Sequence, residues 1–536
     1  MRYNIADLFE SVADAVPDRV ALVSGDQRRT FAELDERATR LAHVLASQGV
    51  GPGDRIGLYL QNGAEYVETM LAAFKLRAVP ANVNFRYVAE ELRYLCRDAG
   101  MKGLIFDATA LRRVEEAVSG LPDLGSFFIV GDDVTGDTTL EKALHFETAL
   151  ASASAKRHFA ERSDDDLYVI YTGGTTGMPK GVMWRHEDAF HACLMAANPM
   201  GPPPSRPDEV AERAKAKAPI AMMTAAPLIH GAAQLGTLIA LLQGHKAVIS
   251  PRFDPHLVWQ TIERERVMTL SLVGDAMARP LAEALAEDSS RYDTSSLLIL
   301  SSAGAILSQG VKDQLRALLP KLALLDNYGA SEVGSQGMDA GGVTKEGGIR
   351  FRMNANTVVL DDDLRRIEPG SGRVGRIALM GHIPLGYWND PEKTAKTFVV
   401  ADGVRYVVPG DLARPEADGT LTLFGRGSQC INSGGEKIFP EEVEGALKHH
   451  PDVFDAVVVG VPDARWGERV TAIVQPRAGA RAPALEELTA HCKRLIAGYK
   501  VPRALHVVAE MKRSPAGKAD YPWAKALAIA REKEEV

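Results

Sequence analysis

The chain has 536 residues, 46% apolar and 25% charged, so wholesale disorder is excluded and several cores can be buried. At roughly 150 residues per domain, three to four domain-sized units are expected. The net charge of -8, from 62 basic and 70 acidic residues, leaves no nucleic-acid footprint, which shows as a basic domain.

Four cysteines (Cys96, Cys193, Cys430 and Cys492) are too far apart for a CxxC pair, so a reducing, cytoplasmic setting is expected. The N-terminus lacks a basic start followed by an apolar stretch, so no signal peptide is expected. No run of 18 apolar residues is present, so no membrane span is expected either.

In chain order, Phe31, Leu34, Ala38, Leu41, Ala42 and Leu45 recur at helical spacing, which predicts an amphipathic helix over 31–48. A strand is expected at 54–60, then a helix through Tyr66, Met70, Leu71 and Phe74. Strand–helix alternation continues to about residue 325 and implies α/β layers with mostly parallel sheets. The Pro-rich stretch 198–208 reads as a mobile excursion within a domain. Short strand signals over 343–425 suggest a β subdomain. A boundary falls at 425–428, followed by helix 440–449, strands 453–460 and 468–475, helix 484–496 and strand 504–509. The expected fold class is α/β. A large N-terminal domain (1–425) combines layered α/β subdomains with a β subdomain, a hinge covers 426–428, and a small α+β C-terminal domain covers 429–536.

Residues 171–183 read YTGGTTGMPKGVM, following the apolar strand LYVIY. Thr172, Gly173, Gly174, Thr175, Thr176, Gly177 and Lys180 combine close backbone approach, hydroxyls and one ammonium, which suits a polyphosphate. It is not a Walker A loop, because Lys180 is followed by Gly181 rather than Ser or Thr. The segment resembles the signature loop of the adenylate-forming superfamily, which includes acyl-CoA synthetases, adenylation domains of peptide synthetases, and luciferases.

Further segments carry the same resemblance. Residues 80–92 (PANVNFRYVAEEL) look like its N-terminal element and read as packing. Residues 227–233 (PLIHGAA) resemble the motif beside the acyl group, which makes His230, Gly231 and Ala232 pocket candidates, with Gly304 and Val333. Amino-acid-activating relatives carry an Asp there to hold an ammonium, and this chain has none. Residues 302–307 (SAGAIL) match the element along adenine, giving Gly304 and Ala305, with Ile306 where Pro is usual.

Residues 326–334 (DNYGASEVG) give Asp326, Asn327, Tyr328, Gly329, Ala330 and Ser331 as nucleotide candidates. The resemblance implies that Tyr328 stacks on adenine, Ser331 touches the α-phosphate and Glu332 holds Mg²⁺. YVVPGDL (406–412) supplies Asp411 for the ribose hydroxyls, with Pro409 where Thr is usual. In GRGSQCINSGGEKIFP (425–440), Arg426 would hold ribose and Ser428 sits at the hinge pivot. Ser433, Gly434 and Gly435 would line the pantetheine channel of coenzyme A. Lys518 in KRSPAGK (512–518) corresponds to the family's catalytic lysine. The catalytic set implied is Lys518, Glu332 and Thr176.

The implied reaction uses ATP and Mg²⁺ to turn a carboxylic acid into acyl-AMP and pyrophosphate, then transfers the acyl group to coenzyme A. In the family the C-terminal domain rotates between the two steps. The words GMPKGVMWRHED, PLIHGAAQ and SGGEKIFPEEVE look most like actinobacterial-type synthetases of fatty acids or sterol side-chain acids. From Arg426 onward, basic residues outnumber acidic ones 17 to 15, which is compatible with CoA phosphates. Two alternatives stand: an acyl-AMP ligase loading a carrier protein, and a degenerate nucleotide-binding member. Metal-protease and esterase readings lack support, because His186 and His191 are five apart and no Gly-x-Ser-x-Gly elbow occurs. Dimers are common among such relatives, so a homodimer is an expectation too.

Overall fold

The alternation of short apolar strands with amphipathic helices in the first 330 residues produces parallel sheets covered on both faces. The structure, a computed structural model, describes residues 2–534 except 132–137, 141–142, 175–176, 199–200, 306, 344–348, 427–428, 434–435, 464–466, 497 and 514–516. Among the described residues the strands form sheets of 15, 8 and 5 strands.

The parallel part of the largest sheet contains Val20–Ser24, Lys246–Ile249, Ala221–Thr224, Val267–Leu272, Ile299–Ala303 and Ala323–Ala330. The second sheet is built on Arg55–Tyr59, Val79–Asn82, Met101–Asp107 and Ser126–Val130. The helix expected over 31–48 is Phe31–Ser47, started by a capping box between Thr30 and Glu33. The next helix, Ala64–Lys75, is buried at every position but Glu65. One apolar core links these layers through Phe9, Phe31, Phe74, Tyr168, Trp184 and Trp259. Lys75 lies within it at 0% exposure, and Glu10 and Asp35 at 2.6 Å each meet its ammonium.

The strands expected as a β subdomain differ from a free-standing unit. The antiparallel hairpin Ala323–Ala330/Gly334–Val343 reverses the chain. Strands Ile349–Met353, Thr420–Arg426, Asp411–Pro415 and Gly375–Leu379 then pair onward along the same sheet. Edge N–H and C=O groups thereby find partners. The region keeps its own small cores, one around Phe351, Ile377 and Leu421 and another around Leu360, Ala378 and Tyr406. In the Pro-rich stretch, the Pro202 carbonyl accepts from Arg213 Nη1 at 2.9 Å and the Pro204 carbonyl from the Tyr3 hydroxyl at 3.2 Å.

After Arg426 a separate sheet forms from Ile431–Ser433, Glu436–Ile438, Val453–Asp463, Gly467–Pro476 and Ala504–Val507. Helices Pro440–Lys448 and Leu485–Cys492 contribute Val443, Leu447 and Leu488 to a core on this sheet. The second helix is shorter than the expected 484–496. A last helix, Tyr521–Glu534, had no sequence expectation; its Ala524 and Ala528 cover Val457, Val459 and Ile473. This unit touches the larger body at helix Gly274–Glu287. There Arg477 pairs with Glu283 at 2.9 Å and Arg279 lies over the Phe454 ring at 5.6 Å. Among the described residues no helix is long and apolar enough to cross a membrane.

Candidate active site

The Gly-rich segment carries the facing ends of two antiparallel strands. Strand Leu167–Gly174 pairs antiparallel with Gly177–Arg185, with Thr172 opposite Lys180 and Gly174 opposite Gly177. Thr175 and Thr176 lie outside the described residues, and Gly173, Gly174 and Gly177 are strand backbone flanking them. The Lys180 ammonium pairs with Asp390, which is also the N-cap of helix Pro391–Thr397. A phosphate role for Lys180 would require exchange of this partner.

The hairpin is rooted by Asn82, at the end of strand Val79–Asn82 and 6% exposed. Its Nδ2 donates to the carbonyls of Tyr171 at 2.7 Å and Ile229 at 2.6 Å, and its Oδ1 accepts from the Tyr171 N–H at 2.8 Å. One amide thus ties the base of the Gly-rich hairpin to the PLIHGAA segment. The sequence had put residues 80–92 down to packing, and the bonds of Asn82 add a fastening role.

His230 is the N-cap residue of helix Gly231–Leu242. A Cβ built on Gly231 would lie 3.0 Å from Ile170 Cγ2 and 3.6 Å from Ser331 Oγ. The acyl-pocket candidate therefore abuts the α-phosphate candidate, the junction an acyl-phosphate bond needs. Ala232 is exposed, whereas Val333, at 0% exposure within the main apolar core, offers no surface to a pocket and is a packing residue rather than a pocket wall. Trp184 Nε1 donates to the Ser331 carbonyl at 2.9 Å and holds this corner.

Parallel strands Ile299–Ala303 and Ala323–Ala330 end side by side, with Ala303 opposite Asn327. Ligands in open α/β sheets bind at such carboxyl ends. Gly304 turns away at φ +80°, with Ala305 after it, while Ile306 lies outside the described residues. Gly329 permits a close return: a Cβ there would lie 2.5 Å from the Gly334 carbonyl oxygen. Asp326, 6% exposed, pairs with Lys312 of helix Gln309–Leu318. That carboxylate thus serves a buried ion pair beneath the site. The Tyr328 hydroxyl donates to Asp411 Oδ2 at 2.8 Å, joining the adenine and ribose candidates. Arg426 stands opposite Asp411 across the strand pair. Glu332 Oε1 accepts from the Tyr387 hydroxyl at 2.9 Å.

Lys518 comes to this cleft from the small unit. A Cβ on Gly304 would lie 3.8 Å from Lys518 Cε. Gly517, at φ +73°, packs on the other side of the boundary; a Cβ there would meet Ala276 Cβ at 3.3 Å. Ser433 is 7% exposed within the small sheet, opposite Glu436 and Gly467. Ser428, Gly434 and Gly435 lie outside the described residues.

A family model described as AMP-binding enzyme matches residues 9–388. The chain belongs to this family. The AMP-binding enzyme C-terminal domain matches residues 442–518, ending on Lys518. A medium/long-chain-fatty-acid/3-oxocholest-4-en-26-oate CoA ligase of Mycolicibacterium smegmatis is 48% identical, covering 100% of this chain and 98% of its own. A 3-oxocholest-4-en-26-oate CoA ligase of Rhodococcus rhodochrous is 46% identical over 100% and 98% of the two chains. In fold, this AMP-binding enzyme resembles an anthranilate CoA ligase in complex with anthranoyl-AMP. That likeness has a TM-score of 0.85 at 24% identity, covering 99% and 98% of the two chains. MatB from Rhodopseudomonas palustris with ATP gives 0.81 at 24% identity, covering 98% and 99%.

Three residues of this AMP-binding enzyme beside the candidate groups had no sequence expectation. Tyr387 and Asp390 sit in GYWND, whose pairing partners lie some 200 residues upstream in the Gly-rich hairpin and were invisible from local pattern. Arg513 lies inside KRSPAGK, but only its fold-back onto Asp455 shows what it holds.

Proposed function

We propose that this AMP-binding enzyme joins a carboxylic acid to coenzyme A at the expense of ATP. A carboxylate oxygen attacks the α-phosphorus, the bond to the β-phosphate oxygen breaks, and pyrophosphate leaves with the electron pair. The CoA thiol then gives its proton to solvent water, and its sulfur attacks the acyl carbon, forming the thioester as the acyl–phosphate bond breaks and AMP leaves with the electron pair. The observation that carries this reading is the approach of Lys518 to Gly304. It supports an ammonium delivered from the small unit to a nucleotide cleft between Gly304, Tyr328 and Asp411.

In the first step two anions must meet, so preplaced positive charge does most of the work. Lys518 would bridge the attacking carboxylate and the α-phosphate oxygens. Thr172 to Gly177 and Lys180 would cradle the departing phosphates, with Lys180 exchanging Asp390 for phosphate oxygen. Ser331 would touch the α-phosphate, and Asp411 and Arg426 the ribose. Mg²⁺ generally takes one or two carboxylates plus phosphate oxygens and water, and the single carboxylate of Glu332 fits that donor set. When bound there, Mg²⁺ supplies charge neutralisation on the phosphate oxygens.

The second step needs Lys518 out of the way. We infer a domain 1–425, a pivot at 426–428 around Ser428, and a mobile domain 429–536 that presents Ser433, Gly434 and Gly435 to the pantetheine arm. Such rotation is ordinary hinge motion.

For the acid, the names of the relatives at 48% and 46% identity support a medium- to long-chain fatty acid or a steroid side-chain acid. The uncharged Gly231 and Ala232 agree with an apolar acyl group. The free cysteines support a reducing, cytoplasmic setting.

The test is a panel of acids from acetate through long-chain to steroidal, scored for AMP and thioester with free CoA. AMP and acyl-CoA in equal amounts with a long-chain or steroidal acid support the reading. Acyl-AMP without thioester across the panel points to a carrier-protein acceptor, and AMP binding without turnover of any acid to a degenerate member.

A further inference from the structure

Residues 386–390 form a strap along the outer edge of the Gly-rich hairpin, beside its second strand. Gly386 and Tyr387 pair antiparallel with Met183 and Val182, and the Trp388 N–H donates to the Gly181 carbonyl at 2.7 Å. The far end is pinned to Asp98, whose carbonyl accepts from Trp388 Nε1 at 3.1 Å and Asn389 Nδ2 at 2.7 Å. This strap reaches both charged groups assigned to the pyrophosphate end. Asp390 pairs with Lys180, and the Tyr387 hydroxyl donates to Glu332 Oε1.

Tyr387 has little freedom. It is 4% exposed, its N–H donates to Thr394 Oγ1 at 2.9 Å, and Phe398 lies edge-on at 5.9 Å between centroids. The Lys393 ammonium sits 4.1 Å from the ring centroid. A phenol fixed in this way holds the carboxylate it donates to. A carboxylate keeps a second oxygen for other partners, so this bond is compatible with metal binding.

We propose that Tyr387 is a positioning residue for divalent metal on ATP. Its hydroxyl fixes the Glu332 carboxylate relative to the Gly-rich hairpin, so that metal and phosphate meet a site already oriented. This rests on the ATP reading given above. Groups that orient a metal ligand typically change metal affinity by about 10–100-fold when removed.

The experiment needs no turnover. Mn²⁺ replaces Mg²⁺, ATP is present without acid, and bound Mn²⁺ is read by electron paramagnetic resonance, while ATP affinity is measured separately in EDTA. Tyr387→Phe is expected to weaken Mn²⁺ retention in the ternary complex by about tenfold and leave metal-free ATP affinity unchanged. Glu332→Gln is expected to weaken Mn²⁺ at least as much, and the double variant no further than Glu332→Gln alone. Wild-type Mn²⁺ affinity in Tyr387→Phe would overturn the proposal. So would an equal loss of metal-free ATP affinity, which marks a merely structural role. If the unmodified protein binds no ATP under either condition, the nucleotide reading itself falls, and this inference with it.

Discussion

Arg513 Nη1 donates to the carbonyl of Gly517 at 2.9 Å, one residue before Lys518, while Nε and Nη2 grip the Asp455 carboxylate at 2.7 and 2.6 Å. The rigid fork of the guanidinium converts a fixed position in the small sheet into a fixed position for the lysine loop. Burial pushes the Asp455 carboxyl up, but Lys448 and Arg513 outweigh it and hold it below the usual range.

Arg513→Leu leaves buried Asp455 with Lys448 at 3.4 Å still beside it, and should cost less than the roughly 3–5 kcal/mol of a fully orphaned buried charge, read by urea titration. Arg513→Lys keeps the charge without the fork. It should slow ATP–pyrophosphate exchange about 10²-fold, as misplacement by about 1 Å does, with thioester formation from supplied acyl-AMP little changed.

Asn82→Leu removes the partners of two carbonyls and one N–H while nearly keeping volume. A loss of roughly 1–3 kcal/mol is expected for each buried group left unsatisfied. Because Asn82 joins Tyr171 to Ile229, KM should rise for ATP and acid together, measured by varying each at saturation of the other. A change in only one would contradict that coupling.

Much of the candidate site was legible because its chemistry sits in short local words. Tyr328, Ser331 and Glu332 lie within seven residues of the start of DNYGASEVG, and Lys518 closes KRSPAGK. What was not legible depends on pairing across the chain. Asn82 looks like any polar residue in an apolar strand until the Tyr171 and Ile229 backbones arrive. The β strands after residue 343 showed their alternation but not that they extend the parallel sheet, because the hairpin at Gly334 decides that. The helix Tyr521–Glu534 shows its apolar face only when Ala524 and Ala528, flanked by Tyr521, Trp523, Leu527 and Ile529, pack against Val457 and Ile473.

Gly231→Ala tests the acyl corner. The new methyl must shift against Ile170 and intrude toward Ser331. The ratio kcat/KM should fall about tenfold for long or bulky acids, less for short ones, with KM for ATP near the wild-type value. Equal loss for all acids would argue against a pocket wall at this position.

Acid should unfold the protein through buried histidines. Burial pushes His186 down to about 4, with Asp166 opposing and Arg162 reinforcing. His191 beside His382 and Asp188, and His245 beside Lys217 and Arg19, are also pushed down to about 4, chiefly by burial. Each ring stays neutral when folded yet takes a proton near pH 6.5 when unfolded. The unfolded chain thus binds more protons between about pH 6.5 and 4, and stability falls as pH drops through that window. For His186 the full effect is on the order of 3 kcal/mol. His186→Gln keeps an acceptor for the Ile5 N–H and should flatten the fall in urea midpoint from pH 7.5 to 5. An equally steep fall would contradict the assignment.

The most direct test of the central claim separates the two half-reactions in Lys518→Ala. ATP–pyrophosphate exchange should drop about 10²–10³-fold, the usual loss for one preplaced charge, while thioester formation from supplied acyl-AMP and CoA stays near the wild-type rate. Exchange that survives the substitution, or an equal loss in both halves, would contradict a lysine delivered for the first step and withdrawn for the second.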